Sequence, residues 1–553
     1  MSERVRFAPV EGAAEVFTPE FNAVLAALHD QFGERVRELR GARGAVLRGA
    51  LHEGRPLRPL PPNPATTTAW KVPPVPEELQ RPGIEISGPA HVTGMFINAL
   101  NPGPDGTRAE GDLDDDEDSA GHRLEDTVRA ALNRKAAVEG TLSHFDAARG
   151  KEYRLQPGAL PFFMHRERSL HLDEPEVTVD GEPVSASILG TALTLFHAGR
   201  AHVARGQGIF FYLPKLESAE EAGFWRDFFD ASRELMPHLR EATLRAIILI
   251  ESLPAAYQME EMLYALGPYA AGLNAARWDF KASILEYVMA DPAAVWPDRF
   301  GVDIKTTPFL TNVFRRLVAV CLKHGAVPIG GMATALPSKD EEVNRAAAAA
   351  IRADKEWEAR QGFVRAWVAH IFHMKAAAAP FKELRGSGWQ PSAEMADPER
   401  YPVEVQTPAG PVTVEGTRRN ARMLLEYLEG WLRGRGAKGI DSLAGKPGIH
   451  PALMEDLATA RISVAQVAQR ILHSARDTDT GEVHDFALAR RLLEEEAESL
   501  AGGASDQETA ERYRKSLPIA MRWVKNYTAF DFRSLGSYTR ADLERIASEP
   551  PAF

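Results

Sequence analysis

Near the start of the chain, Phe21, Val24, Leu25 and Leu28 recur at helical spacing, and Phe32, Val36 and Leu39 extend the same stripe. Residues 1–75 therefore begin as a helical unit. The proline-rich segment from Pro56 to Pro76 reads as a linker across a surface. From 76 to 375 the period changes. Short apolar runs, Val92–Ile97, Ala159–Met164, Ile209–Leu213, Ala246–Ile250 and Val327–Ile329, alternate with longer amphipathic stretches such as Ala222 to Leu235 and Arg315 to Lys323. That alternation predicts an α/β unit built on a largely parallel sheet. Its length suits a (β/α)8 barrel with an insertion. Val177–Val179 followed by Asp180-Gly181 predicts a hairpin. Residues 376–412 read as an irregular linker. From 413 to 553 the pattern is helical again, and Leu453, Leu457, Ala460, Val464, Val467 and Ile471 mark one helical face.

Composition narrows the class. At 553 residues, 44% hydrophobic and 26% charged, the chain reads as a globular protein of two to four structural units. A net charge of −12 argues against a nucleic-acid surface. It leaves anionic substrates open, because a site sets its own local charge. The one cysteine, Cys321, excludes an intramolecular disulfide and a cysteine-rich zinc site, and the cytosol is the expected compartment. No apolar run approaches the length of a membrane span. The first residues lead into no signal-peptide core, and Pro551-Ala552-Phe553 is no peroxisomal address.

In a barrel, chemistry sits where strands end. The run Ala246–Ile250 stops abruptly at Glu251, and Asp279 follows the small-residue stretch Ala270 to Ala276. Their separation of 28 positions allows one crossover helix, so these carboxylates are expected on adjacent strand ends. A pair of this kind suffices for Mg2+; a helix cap and a salt bridge are the ordinary alternatives. Asp456 is expected on a helix, at the edge of the stripe that starts at Leu453. Arg166, two residues past Phe162-Phe163-Met164, offers a permanent cation at a strand end. By composition Glu110 to Asp118 reads as a solvated acidic loop. His370 and His373 read as structural, and Cys321 as core packing. Gly330-Gly331 reads as a phosphate cradle or as a turn after a buried strand.

Several of these places resemble one family, in one order. Residues 250–261, Ile-Glu-Ser-Leu-Pro-Ala-Ala-Tyr-Gln-Met-Glu-Glu, are similar to the motif I-E-T-L-P-A-A-F-Q-M-D-E of malate synthases, chiefly of the shorter isoform. Ala271-Gly272-Leu273-Asn274 with Arg277-Trp278-Asp279, Tyr212-Leu213-Pro214-Lys215, Gly330-Gly331-Met332-Ala333, Arg352 to Glu356, Trp367 to His370 and Leu453-Met454-Glu455-Asp456 continue the resemblance. Asp115-Asp116-Glu117-Asp118-Ser119 resembles the family's D-F-E-D-S. Arg166-Glu167-Arg168-Ser169-Leu170-His171-Leu172 stands where the family has R-P-R-G-W-H-L.

The resemblance implies a TIM barrel with an N-terminal helical clasp, a small α/β insertion and a C-terminal helical plug. It implies condensation of glyoxylate with acetyl-CoA to malate and CoA, with Mg2+ as cofactor. Glu251 and Asp279 would hold the metal, and Asp115 and Glu117 would stand behind it, Glu117 bonded to water on the ion. Asp456 would be the catalytic base and Arg166 the catalytic arginine. Arg166, Trp278 and Asp279 would contact glyoxylate. Gly330, Gly331, Met332, Trp367, His370 and Ile371 would lie on the CoA side. Ile371 replaces a proline of the family pattern, so weaker CoA-thioester binding is expected, and extra residues around Gly439 to Gly448 precede the base motif. Base and metal fall in different units, which implies gating by closure. A malyl-CoA or citramalyl-CoA lyase, another 2-oxo acid acyltransferase and a non-catalytic CoA-thioester binder are the alternative readings. The choice between monomer and homo-oligomer stays open.

Overall fold

A computed structural model describes residues 4–120, 122–441, 451–532, 538 and 540–553. Most of the extra segment before the base motif, residues 442–450, lies outside the described residues. The chain divides into two compact units. The first comprises residues 1–44, 58–276 and 314–401, and the second 45–57, 277–313 and 402–553.

The first unit is a closed parallel barrel of β1 (Gly83–Pro89), β2 (Gly111–Asp115), β3 (Phe162–Arg166), β4 (Ile209–Leu213), β5 (Leu244–Ile250), β6 (Ala270–Ala275), β7 (Val327–Ala333) and β8 (Arg365–Val368), neighbouring one another in chain order. Helix α1 (Pro19–His52) buries the stripe Phe21, Leu25, Leu28, Phe32, Val36 and Leu39. Phe32 meets Phe224 and Phe228 edge-on at 5.5 and 5.4 Å. The hairpin is present: Asp173–Val179 pairs with Glu182–Ser185 through Asp180 and Gly181, both at positive φ, as a tight primed turn requires. Val5–Phe7 adds a third antiparallel strand to it.

Four expectations about this unit are corrected. Val92–Ile97 is not a strand. It enters helix Thr93–Leu100, where Phe96, Ile97 and Leu100 share a buried face. The true first strand, Gly83–Pro89, has little apolar run to announce it, because its central Glu85 is buried against another charge. The acidic stretch is not a solvated loop either: Gly111–Asp115 is β2, and every residue from 111 to 118 is buried. Part of the expected irregular linker is helix α5 (Met374–Gly386), which packs on β1 and β8 and closes the barrel's outer layer. Finally, Gly330 and Gly331 form neither a turn nor a cradle. They lie within β7, and a Cβ at 330 would come within 2.3 Å of the Glu358 carboxylate. Glu358, on α4 (Glu341–Gln361), accepts the Gly331 N–H at 3.1 Å, and Lys355 donates to the Gly331 carbonyl at 2.6 Å.

The barrel interior is polar at mid-height. Tyr212 donates to Glu85 at 2.7 Å, Arg365 pairs with the same carboxylate, and the Trp367 indole donates to Glu85 and Tyr212 at 3.1 Å each. Glu85 and Arg365 have no exposure, so neither charge has solvent to fall back on.

In the second unit, Val414–Leu432, α6 (Leu457–Leu472), Phe486–Gly502 and Gln507–Thr528 pack on one another, and α3 (Arg277–Tyr287) packs on α6. Leu457, Ala460, Val464, Val467 and Ile471 are buried as the stripe predicts. Leu453 is not part of it: Leu453–Glu455 is a short strand, and Asp456 caps α6 instead of lying on it. Among the described residues, no helix is long and apolar enough to cross a membrane.

Replacing Arg365 with methionine should leave Glu85 buried and unpaired, which costs about 3–5 kcal/mol. We expect a markedly lower thermal unfolding midpoint, with part of the loss recovered in the double variant Glu85→Leu/Arg365→Met. An unchanged midpoint in the single variant would contradict this pairing.

Candidate active site

β2 runs directly into five consecutive carboxylates, Asp114 to Asp118. The strand's period of two divides the first of them between its faces. Asp115 turns inward, where Arg166 at the end of β3 grips it through Nε at 2.7 Å and Nη2 at 2.8 Å. Arg166 Nη1 is also 3.4 Å from Asp118, and its guanidinium lies 5.6 Å from the Trp367 ring centre. Burial alone would raise the Asp115 carboxyl, but the Arg166 charge outweighs it and holds Asp115 below the usual carboxylate range. Burial would likewise weaken Arg166's hold on its proton. Asp115 and Asp118 reverse that, so the guanidinium is a fixed cation.

Lys215, just past β4, organises the rest of this mouth. Its backbone has a left-handed φ of 53°, an uncommon conformation for a side-chain-bearing residue. Its carbonyl is held by Arg43, and its N–H donates to Glu251, the residue immediately after β5. Its ammonium donates to Glu117 at 2.8 Å and Asp118 at 2.9 Å. Glu117 also accepts from Ser169 at 3.1 Å. Burial and the neighbouring Asp118 charge push Glu117 well above the usual carboxyl range. Lys215 and Arg166 overcome the burial of Asp118 and hold it far below that range. Neither Lys215 nor Asp118 was assigned a role from sequence, although both fall inside matched motifs. Nothing in a pattern of letters shows that a lysine amide will seat a glutamate 36 residues later.

Asp279 stands in the first turn of α3, and chain continuity ties it to the end of β6 at Ala275. Within the second unit it accepts from Arg461 of α6 at 2.8 Å, and Arg461 also pairs with Glu286 at 2.7 Å. Trp278 has the Lys281 ammonium 4.8 Å from its ring centre, and its buried indole N–H has no hydrogen-bond partner among the described residues. Asp456 is the N-cap of α6, part of a capping box with Thr459, and is only partly buried. Its neighbour Glu455 is fully engaged by Arg299 at 2.8 and 3.0 Å. Asp118 and Glu251, buried in the first unit, and Asp279, buried in the second, are carboxylates of the kind that hold a metal ion. An all-oxygen donor set of this kind fits a hard divalent cation.

The residues expected on the CoA side lie on the neighbouring strands β7 and β8, where Met332 pairs with Trp367, and on the turn after β8. Gly330 and Gly331 are occupied by Glu358 and Lys355 as described. Trp367 is buried in the barrel, with the Arg166 guanidinium 5.6 Å from its ring centre. Met332, His370 and Ile371 are partly accessible. His370 caps the single turn Ile371–His373, accepting the Phe372 N–H at 3.2 Å, and His373 is buried, consistent with structural roles. Cys321 is buried within helix Pro308–His324, as its pattern predicts.

The family model for the malate synthase TIM barrel domain matches residues 162–400, and that for the malate synthase C-terminal domain matches 411–540. Malate synthase of Myxococcus xanthus is 35% identical over 536 residues, 96% of this chain and 95% of that protein. Malate synthase A of Escherichia coli is 33% identical over 527 residues, 94% of this chain and 92% of that protein. Among solved structures, protein CitE of Mycobacterium tuberculosis in complex with magnesium and pyruvate aligns with 55% of this chain and 92% of its own, at 13% identity and a TM-score of 0.31, too slight a likeness to carry an argument. The barrel, the helical C-terminal region and the near full-length similarity agree: the chain belongs to the malate synthase family, enzymes that condense acetyl-CoA with glyoxylate to give malate and CoA.

Proposed function

We propose that Arg166 and Asp456 carry the condensation and that Glu251 and Asp279 hold its metal, Mg2+. The observation that carries this reading is Arg166: a buried guanidinium at a strand end, kept charged and immobile by Asp115 and Asp118. The methyl group of acetyl-CoA is a weak carbon acid. Asp456 would take its proton, and Arg166 would place positive charge where the enolate oxygen develops. The enolate carbon then bonds to the aldehyde carbon of glyoxylate, whose oxygen gains a proton. Water cleaves the thioester, releasing malate and CoA. Glu251, Asp279 and the adjacent Asp118 would hold Mg2+, which when bound supplies Lewis acidity at the aldehyde and fixes its orientation. Trp278 would offer its unsatisfied indole N–H to glyoxylate. Glu117, committed to Lys215 and Ser169, would support the metal site from behind, as would Asp115 through Arg166. A cytosolic location belongs to the same reading, supported by a single buried thiol.

Glu251→Gln keeps an oxygen for the Lys215 N–H, and Asp279→Asn leaves Arg461 its Glu286 partner, so both variants should fold. We expect each to abolish Mg2+-dependent turnover. Near-normal activity of either at limiting Mg2+ would remove that residue from the metal site.

Asn caps a helix about as well as Asp, so Asp456→Asn tests the base without unseating α6. Condensation should fall by about 10²–10⁴-fold. Deuterium exchange into the acetyl methyl, followed by NMR with pyruvate bound, should vanish. Persistent exchange in the variant would exclude Asp456 as the base.

Ile371 opens its short turn, the position where proline fits best. Ile371→Pro should therefore fold and should tighten acetyl-CoA binding in calorimetry. Unchanged or weaker binding would show that this segment does not shape the CoA side.

A further inference from the structure

On the outward face of the same two strand ends lies a second buried charge cluster that the proposed mechanism does not use. Arg134, on α2 (Leu124–Val138), is 1% exposed. Its Nε donates to Asp114 Oδ1 at 2.5 Å and its Nη2 to the Asp114 carbonyl at 3.1 Å. Its Nη1 reaches Asp116 at 2.9 Å, Glu167 at 2.9 Å and the Thr194 hydroxyl at 3.3 Å. Thr194 in turn donates to Glu167 at 2.5 Å, and His165 bonds the other oxygen of Asp114 at 2.7 Å.

The order of these contacts along the chain is what matters. Asp114 and Asp116 flank Asp115, and Glu167 follows Arg166. One guanidinium thus grips, from outside the barrel, the residues on either side of Asp115 and the residue after Arg166. The backbone between them is itself joined, Asp116 N–H to Arg166 carbonyl at 2.9 Å. Glu167 stands where the resembling family motif has proline, and it fits because residue 190 is glycine. A Cβ there would lie 2.4 Å from Glu167 Oε2.

We infer that Arg134, acting with Glu167, is a positioning residue that fixes the register and tilt of the β2 and β3 ends, and so the Asp115–Arg166 pair, for enolate stabilisation. This rests on the reading of Arg166 as the catalytic arginine. Lysine at 134 keeps one positive charge but cannot serve four oxygens on two strands at once. A displacement of about 1 Å at a catalytic group can cost roughly 10²-fold in rate.

The test uses the full-length enzyme with three variants, Arg134→Lys, Gly190→Ala and Arg166→Lys. For each, kcat, the KM of both substrates, the thermal unfolding midpoint and acetyl-methyl exchange are measured. Arg134→Lys should lower kcat and the exchange rate about 10- to 100-fold with KM values nearly unchanged. Gly190→Ala displaces Glu167 through space while improving helix propensity. Helix propensity offsets only part of the cost of moving a buried carboxylate, so the midpoint should fall modestly while kcat per folded molecule falls several-fold, and this variant decides the matter if Arg134→Lys does not fold. An inactive Arg166→Lys beside fully active, folded Arg134→Lys and Gly190→Ala overturns the clamp alone. A fully active Arg166→Lys overturns the assignment of Arg166 and the clamp with it. Losses of kcat that only track loss of folded protein overturn the positioning role.

Discussion

Burying five consecutive carboxylates at the end of one strand is the constraint on which this barrel mouth depends. Two unit charges 4 Å apart interact by about 4 kcal/mol at an effective dielectric of 20, so five neighbouring anions cannot coexist without counter-charge. Three cations answer them from three directions: Arg134 from outside the barrel, Arg166 from its inner face and Lys215 from beyond β4. The result is a division of labour among the carboxyls. Burial and neighbouring anions raise Asp116 and Glu117 well above the usual range, whereas the cations hold Asp115 and Asp118 below it. The lowered members, Asp115 and Asp118, are the two that Arg166 contacts. The raised members are those committed to scaffolding.

The layer beneath follows the same logic. Glu85 is the common acceptor of Tyr212, Arg365 and Trp367, so a charge deep in the barrel is fully paired. Trp367 then presents its ring under the Arg166 guanidinium. Arg166 is thus held by a carboxylate at its flank and an aromatic ring nearby, and loses little freedom when a substrate arrives.

The long stripes of α1 and α6, the helix Ala219–Leu235, the strands at Ile209–Leu213 and Ala246–Ile250 and the tight hairpin were legible because apolar periodicity or turn chemistry decided them. β1, β2 and β8 were not, for one physical reason. Their side chains are buried as charge pairs, Glu85 with Arg365 and Asp115 with Arg166, and a pattern of letters reads a charge as solvent-facing. Glu251, Asp279, Arg166 and Asp456 stood out through motif similarity and position. Lys215 and Arg134 did not, since their importance lies in which carboxylates the fold brings to them. Asp456 was found but misplaced onto a helix face; its role as N-cap follows from Thr459 three residues on, a capping signal that the longer stripe obscured.

The central proposal is that Glu251 and Asp279 take the metal, while Glu117, committed to Lys215 and Ser169, stands behind them. Anomalous diffraction at the manganese edge, from crystals grown with Mn2+ in place of Mg2+, tests it most directly. The account predicts one strong peak with oxygens of Glu251 and Asp279 at about 2.0–2.2 Å, and Glu117 outside ligand distance. A peak ligated by Glu117, or one placed away from Glu251 and Asp279, would contradict it.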